Sequence, residues 1–310
     1  MAIKGLHHIH LAVEDLSGGL AFAQDFGLHI ADVGEARTYL RGLGRHPYLV
    51  VLEHGAPSSF RGLSFEVDSR DDLEKAVAEH GASAIRDLTG PGGGVAVDLL
   101  DPNGFTVSLV HGVADRTPDA LPPSLLLNQG YDKPRIGNTQ EKSPLGPPPV
   151  IRLGHVGIYV QDWQASDAWY REVLGLIPSD LIHVGNENVK VGGFYRLNRG
   201  DEFVDHHVVG MFGLPGKQGL HHLSLEVPNS EAQFMAHRWL AQRQRNEVWG
   251  VGRHPLGSHV FDVWKDPNGF RYETFSDTDL LNASAPAGLH AIQEMEMDLW
   301  SDRDVQIYFA

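Results

Sequence analysis

Three side chains in the second half of this sequence have the types and placement to hold a divalent cation. They are His155 in GHVGIYV, His222 in HHLSLEV and Glu273 just past DPNGF. Two imidazoles and a carboxylate are ordinary donors for a first-row metal. The chain contains no cysteine, so disulfides and thiolate sites are excluded and any metal must be bound through nitrogen and oxygen. Its 18 histidines raise the expectation of metal binding or acid–base work.

An internal repeat says where those residues must sit. HHIHLAVED (7–15) aligns with GHVGIYVQD (154–162), placing His8 on His155 and Asp15 on Asp162. GLSFEV (62–67) aligns with HLSLEV (222–227), and DPNGF occurs at 101–105 and 266–270. The alternating apolar segments predict half-buried strands. The stretches after them predict helices, with Ser69, Asp71 and Asp72 at one helix start. Asp-Pro-Asn-Gly predicts a tight turn, because Pro presets φ and Asn-Gly tolerates positive φ.

The two copies differ where chemistry is possible. His222 falls on Gly62 and Glu273 on Ser108, leaving His8 alone in the first copy. One imidazole holds a divalent ion poorly, so the first half is expected to be metal-free and structural. The same comparison shows that the architecture tolerates Gly and Ser at these positions, and a buried Glu is costly unless paired or metal-bound. Two histidines and one carboxylate on separate strands form the facial triad of non-haem iron(II) oxygenases, with open positions on one side of the ion.

The expected organisation is an N-terminal metal-free domain (1–112), a Pro- and Gly-rich linker (113–149) ending in SPLGPPP, a C-terminal domain carrying the site (150–276), and an unrepeated tail (277–310) that packs across the domains or forms a lid. Composition agrees with two globular domains, at 42% hydrophobic and 21% charged. The net charge of -15 comes without any Lys/Arg cluster, which argues against a nucleic-acid partner. The N-terminus lacks a long apolar run, so neither a secretory signal nor a membrane association is expected and the location is expected to be cytoplasmic. GPGGGV (90–95) has no Lys-Ser/Thr after it and reads as a flexible turn rather than a phosphate loop.

The repeat and the triad together resemble the vicinal oxygen chelate superfamily, specifically its two-domain type I extradiol dioxygenases. The resemblance runs over nearly the whole chain and is carried by LGHVGIYV, GLHHLSLEV and GRHPLGSHVFDVWKDPNGFRYE (252–273). It implies an α+β fold of tandem βαβββ modules making two incomplete barrels. It implies iron(II), less often manganese(II), on His155, His222 and Glu273, a catecholic substrate with dioxygen, and a homo-oligomer. His222 is preferred over His221 because it directly precedes LSLEV, where His222, Ser224 and Glu226 share a face.

By the same resemblance His207 in VDHHVV, ahead of His206, is the acid–base group, and His254 hydrogen-bonds the substrate hydroxyl. Arg253 offsets substrate charge or is a solvated loop residue, and His259 is strand surface or supports the site from behind. Many relatives carry a tyrosine ten residues before the ligand Glu, whereas this chain has Val263 there. A valine cannot donate a hydrogen bond, so Tyr195, Tyr159 or Tyr272 compensates, or Val263 enlarges the pocket for a substituted ring. Two other readings stay open. A glyoxalase-like metal-dependent lyase or epimerase would need a fourth protein ligand, and a non-enzymatic binder would not need the triad.

Overall fold

The computed structural model describes residues 1–123, 126–139 and 144–309. Parts of the expected linker (124–125 and 140–143) and the last residue of the tail lie outside the described residues. The first half folds as β1 (Ile3–Val13), α1 (Leu16–Asp25), β2 (His29–Val33), β3 (Arg37–Arg41), β4 (Val50–His54), β5 (Ser59–Val67), α2 (Arg70–His80), β6 (Arg86–Asp87), β7 (Val95–Leu100) and β8 (Thr106–His111). The second half repeats this plan with β9 (Leu153–Tyr159), α3 (Trp163–Glu172), β10 (Ile177–His183), β11 (Lys190–Arg196), β12 (Val204–Asp205), β13 (Val209–Phe212), β14 (Gly219–Glu226), α4 (Ser230–Gln242), β15 (Asn246–Arg253), β16 (Val260–Lys265) and β17 (Arg271–Ser276).

Each half is one curled sheet made of two βαβββ modules. The first runs β2-β3-β4-β1-β5-β8-β7-β6 and the second β15-β16-β17-β14-β9-β13-β11-β10, with the tail adding β18 (Leu280–Leu281) beside β12 and β19 (Gly288–Ala291) at the edge of β10. The tail is thus built into the second domain, up to a final turn, α5 (Gln306–Phe309). The two modules of each barrel meet through antiparallel pairs, β1 with β5 and β9 with β14.

The repeated residues have repeated jobs. Asp15 and Asp162 cap α1 and α3, accepting from the backbone of Gly18 and Ala165. Ser69 and Asp72 form a reciprocal capping box on α2. In each Asp-Pro-Asn-Gly turn one aspartate oxygen accepts two backbone N–H groups, from Asn103 and Phe105 at Asp101 and from Asn268 and Phe270 at Asp266. Gly104 and Gly269 take φ of 79° and 89°, which a side chain would resist. The turns also join the halves, since Asn268 Oδ1 accepts the Asp15 N–H at 2.8 Å and Asn103 Oδ1 accepts the Gln161 N–H at 2.9 Å. One apolar core runs through both barrels, with Tyr272 of β17 edge-on to Phe22 of α1 and to Phe26 just past its end.

Burial of histidine has a thermodynamic consequence. His7 is fully enclosed, and burial, helped by His46, lowers its pKa from 6.5 to about 3. Between those values the unfolded chain binds a proton that the folded chain does not. Stability is therefore lost as pH falls from about 6.5 toward 3, by about 1.4 kcal/mol per pH unit for this residue. Urea unfolding at pH 7 and pH 5 should show that loss, and His7→Leu should flatten the dependence; an unchanged slope would contradict the assignment.

Candidate metal centre

The sheet register places the three predicted ligands side by side. His155 on β9 is opposite Ser224 on β14, and Ser224 is opposite Glu273 on β17. These three residues form one row across three adjacent strands. His222 lies two residues along β14 and so shares the face of Ser224, opposite Gly157. A Cβ at Gly157 would stand 2.6 Å from the His222 ring, so the glycine opens the space the imidazole occupies. In the first barrel the arrangement is inverted, with His10 on β1 opposite Gly62 on β5.

His155 Nε2 is 3.1 Å and His222 Nε2 is 4.0 Å from Glu273 Oε1, and donor atoms of all three lie within 4.8 Å of one another. Two donors about 2.1 Å from one ion at right angles lie about 3.0 Å apart, so the cluster has the dimensions of a coordination site. His222 Nε2 is buried without a protein partner. Burial lowers the His222 pKa to about 3, which keeps a lone pair on the ring. Burial also pushes the Glu273 carboxyl up, but the neighbouring histidines outweigh it and hold the group well below the usual carboxylate range. A neutral His222 imidazole beside an ionised, fully enclosed carboxylate is the pairing a divalent ion requires. The donor set therefore fits a divalent metal.

The surrounding bonds orient the donors. For His222 Nε2 to be free, Nδ1 carries the hydrogen and donates to His221 Nδ1 at 2.6 Å; His221 Nε2 then donates to the Tyr308 carbonyl at 3.3 Å. Ser224 Oγ donates to Glu273 Oε1 at 2.6 Å, and Tyr308 Oη approaches Glu273 Oε2 at 3.3 Å. The Tyr308 carbonyl also accepts from Arg271 at 2.7 Å. Gly157→Ala should push the His222 ring aside and weaken metal binding about 10- to 100-fold, the usual effect of disturbing a ligand's support. Competition with a chromophoric chelator measures this, and an unaltered affinity would show that the glycine is not needed.

His207 and His254 both line the cavity beside the triad. The His207 ring is centred 4.3 Å from that of His155. His206 turns away, placing Nε2 2.7 Å from Asp180 and Nδ1 3.1 Å from His207 Nδ1. A hydrogen on His206 Nε2 makes its Nδ1 the acceptor from His207, leaving His207 Nε2 with a lone pair. His254 stacks on Phe261 at 3.7 Å and donates from Nδ1 to the Met297 carbonyl at 2.8 Å, with its Nε2 3.9 Å from Glu273.

Other expected residues are placed elsewhere. Arg253 is not brought to the cavity, because its guanidinium bonds the Ser258 carbonyl and Asp277 and lies over Trp300. Tyr195 points to the opposite face of β11, donating to Asp167 of α3 at 2.7 Å, while its neighbour Phe194 lines the site. Tyr272 faces the other barrel, and Tyr159 packs on His221. Val263 does not line the cavity but shares an apolar cluster with Tyr308. His259 is fully buried rather than on the strand surface, with its ring 5.1 Å from that of His155 and Nε2 2.8 Å from the Thr278 hydroxyl. His155, His207 and His259 also form a metal-sized group. That set lacks a carboxylate, so a buried dication there would keep its full charge, and the triad containing Glu273 is the better site.

The sequence reading missed Tyr308. Apolar residues in QIYF, closing a tail otherwise rich in charge, were the available signal. The cavity of about 60 Å³ is walled by Phe194, Phe212 and Leu256 and closed by Met295, Met297 and Tyr308 of the tail.

Residues 152–274 match the Glyoxalase/Bleomycin resistance protein/Dioxygenase superfamily. The chain is 26% identical to Metapyrocatechase 2 of Cupriavidus necator, with 99% of this chain and 92% of that protein aligned. Homoprotocatechuate 2,3-dioxygenase from Brevibacterium fuscum superposes with a TM-score of 0.78 at 20% identity, covering 99% of this chain and 92% of that one. A Mn(II)-bound glyoxalase from Novosphingobium aromaticivorans superposes with a TM-score of 0.77 at 20% identity, covering 97% and 91%.

Proposed function

We propose, on the premise that residues 152–274 are a domain of the glyoxalase, bleomycin resistance protein and dioxygenase superfamily, that this protein is an extradiol ring-cleavage dioxygenase acting on a catechol-type substrate. The observation that carries this is the row His155–Ser224–Glu273 with His222 beside it, a group of three donors among the described residues. The full-length similarity to a metapyrocatechase supports it. The glyoxalase superposes about as well as the dioxygenase, so the fold alone does not choose between them; the three-donor set favours ring cleavage over a lyase or epimerase. We take the protein to be a cytoplasmic homo-oligomer. No described helix is long and apolar enough to cross a membrane.

His155, His222 and Glu273 would hold iron(II) or manganese(II), with iron(II) preferred for this donor set. When bound, the ion supplies a common electron path between a chelated diol and dioxygen and fixes their relative orientation. The residues around it do the proton work. His207 Nε2, with its lone pair, takes a substrate hydroxyl proton. His254 Nε2 accepts from the other hydroxyl, held in that tautomer by the Met297 carbonyl. Phe194, Phe212 and Leu256 exclude water and pack the ring. A cavity of about 60 Å³ is smaller than the usual ligand pocket of about 300 Å³ or more, so the tail must shift outward to admit a ring.

Tyr308 stands as the phenol that Val263 cannot be. Burial and the nearby Glu273 carboxylate raise its pKa well above 10, so it remains a donor. Tyr308→Phe should lower kcat/KM for catechol about tenfold, the worth of one hydrogen bond to a charged group, with metal content unchanged. Tyr195→Phe should leave kcat/KM intact; the reverse pattern in steady-state kinetics would return the role to Tyr195. The function itself is tested by loading the protein with iron(II) and supplying catechols in air. One dioxygen consumed per ring opened and a yellow product are expected. Turnover of a hemithioacetal or an acyl-CoA epimer instead would place the protein with the lyases or epimerases.

A further inference from the structure

The first barrel keeps the architecture of the metal site while losing its donors. Its corresponding row is His8–Ser64–Ser108, and the register puts Tyr48 where the second barrel has His207. The space is not filled in. It is a cavity of about 340 Å³, within the usual size range of small-molecule sites and larger than the cavity at the metal centre.

The lining is charged at one end and aromatic at the other. Arg37 and Arg61 each give only Nε to Glu53, at 3.4 and 3.1 Å. The terminal nitrogens of both guanidinium groups bond no described residue, so two forks stand open. Arg86 spends one edge of its guanidinium on a two-point contact with Asp98. Three guanidinium groups thus face two carboxylates. The histidines add no charge, because burial lowers the pKa of His8 and of His10. Deeper in, Tyr39 and Tyr48 meet edge to face at 5.0 Å, exposed by only 7% and 2%. Both line the cavity, and neither hydroxyl has a described protein partner. Val51, Leu63 and Val110 complete apolar walls.

We propose that the N-terminal barrel is a second binding site, for a small planar organic carboxylate carrying a single negative charge. One excess positive charge sets the ligand's charge. The open forks suit the two oxygens of a carboxylate. Paired tyrosine rings with unsatisfied hydroxyls suit a flat, partly polar body. This site is independent of the metal ligands and of the reading given to them.

Benzoate is the probe, titrated into the full-length protein by calorimetry, with benzyl alcohol as its neutral counterpart. One saturable benzoate event per chain that persists in His222→Ala is expected, with benzyl alcohol much weaker. Tyr48→Phe and Arg61→Gln should each weaken benzoate about tenfold, as expected for a lost hydrogen bond to a charged group. The first removes only a hydroxyl and the second alters a half-exposed side chain, so thermal unfolding and catechol turnover should both be unchanged. No saturation by about 10 mM, a level reached even by weak sites, would overturn the proposal. So would equal affinity for benzyl alcohol, or affinity indifferent to both substitutions.

Discussion

Glu273→Ala and His222→Ala should each reduce bound metal from one ion per chain to almost none and lower ring cleavage by at least about 10³-fold. The reason lies in the charge and the count of donors. Glu273 supplies the only negative charge in the triad and is wholly enclosed, so its loss leaves two neutral imidazoles facing a dication. His222 lies on the same strand face as Ser224, which itself bonds Glu273, so its loss removes one of the three donors. Glu273→Gln separates charge from shape, since it keeps the size and one oxygen donor; it should lose most metal as well. Inductively coupled plasma analysis of protein purified with added iron(II), alongside oxygen uptake, gives both numbers. Retention of stoichiometric metal in Glu273→Gln would mean that the carboxylate is not a ligand.

His207→Gln should behave differently. Metal content should stay near wild type while kcat falls about 10²- to 10³-fold, in the range of lost general acid–base catalysis. The substituted amide still fills the space between His155 and Phe194 but cannot take a proton. His206→Gln serves as the comparison. That residue is turned to Asp180, which is also bonded by His290 at 2.6 Å, so its loss perturbs His207 only through one hydrogen bond and should cost about tenfold. If His206→Gln were the more damaging change in single-turnover kinetics, the proton-handling group would have been misassigned.

Much of this was legible in the chain because it is written twice. The paired DPNGF turns, the Asp15 and Asp162 caps and the aligned strands fixed the module plan, and the mismatch of Gly62 and Ser108 with His222 and Glu273 pointed to the half expected to hold metal. Ligand placement followed because a strand alternates its faces and His222 to Ser224 is one period. What could not be read was which face points inward on a strand whose sequence shows no match between the two halves. Tyr195 and Phe194 are neighbours on β11, and only the packed sheet shows that the phenylalanine has the cavity and the tyrosine the helix. Arg253 and His254 divide in the same way at the end of β15. Gly157 was also silent, because its role is to be empty opposite His222. The tail has no counterpart in the first half, so nothing in the repeat announced that Tyr308 would return across more than 30 residues of sequence to meet Glu273.

The most direct test is where the ion sits. Crystals grown anaerobically with iron(II), measured at the iron absorption edge, should show one anomalous peak per chain, bonded to His155 Nε2, His222 Nε2 and Glu273 at about 2.1 Å. A peak held by His155, His207 and His259, or iron-loaded crystals with no peak in the second barrel, would contradict the account.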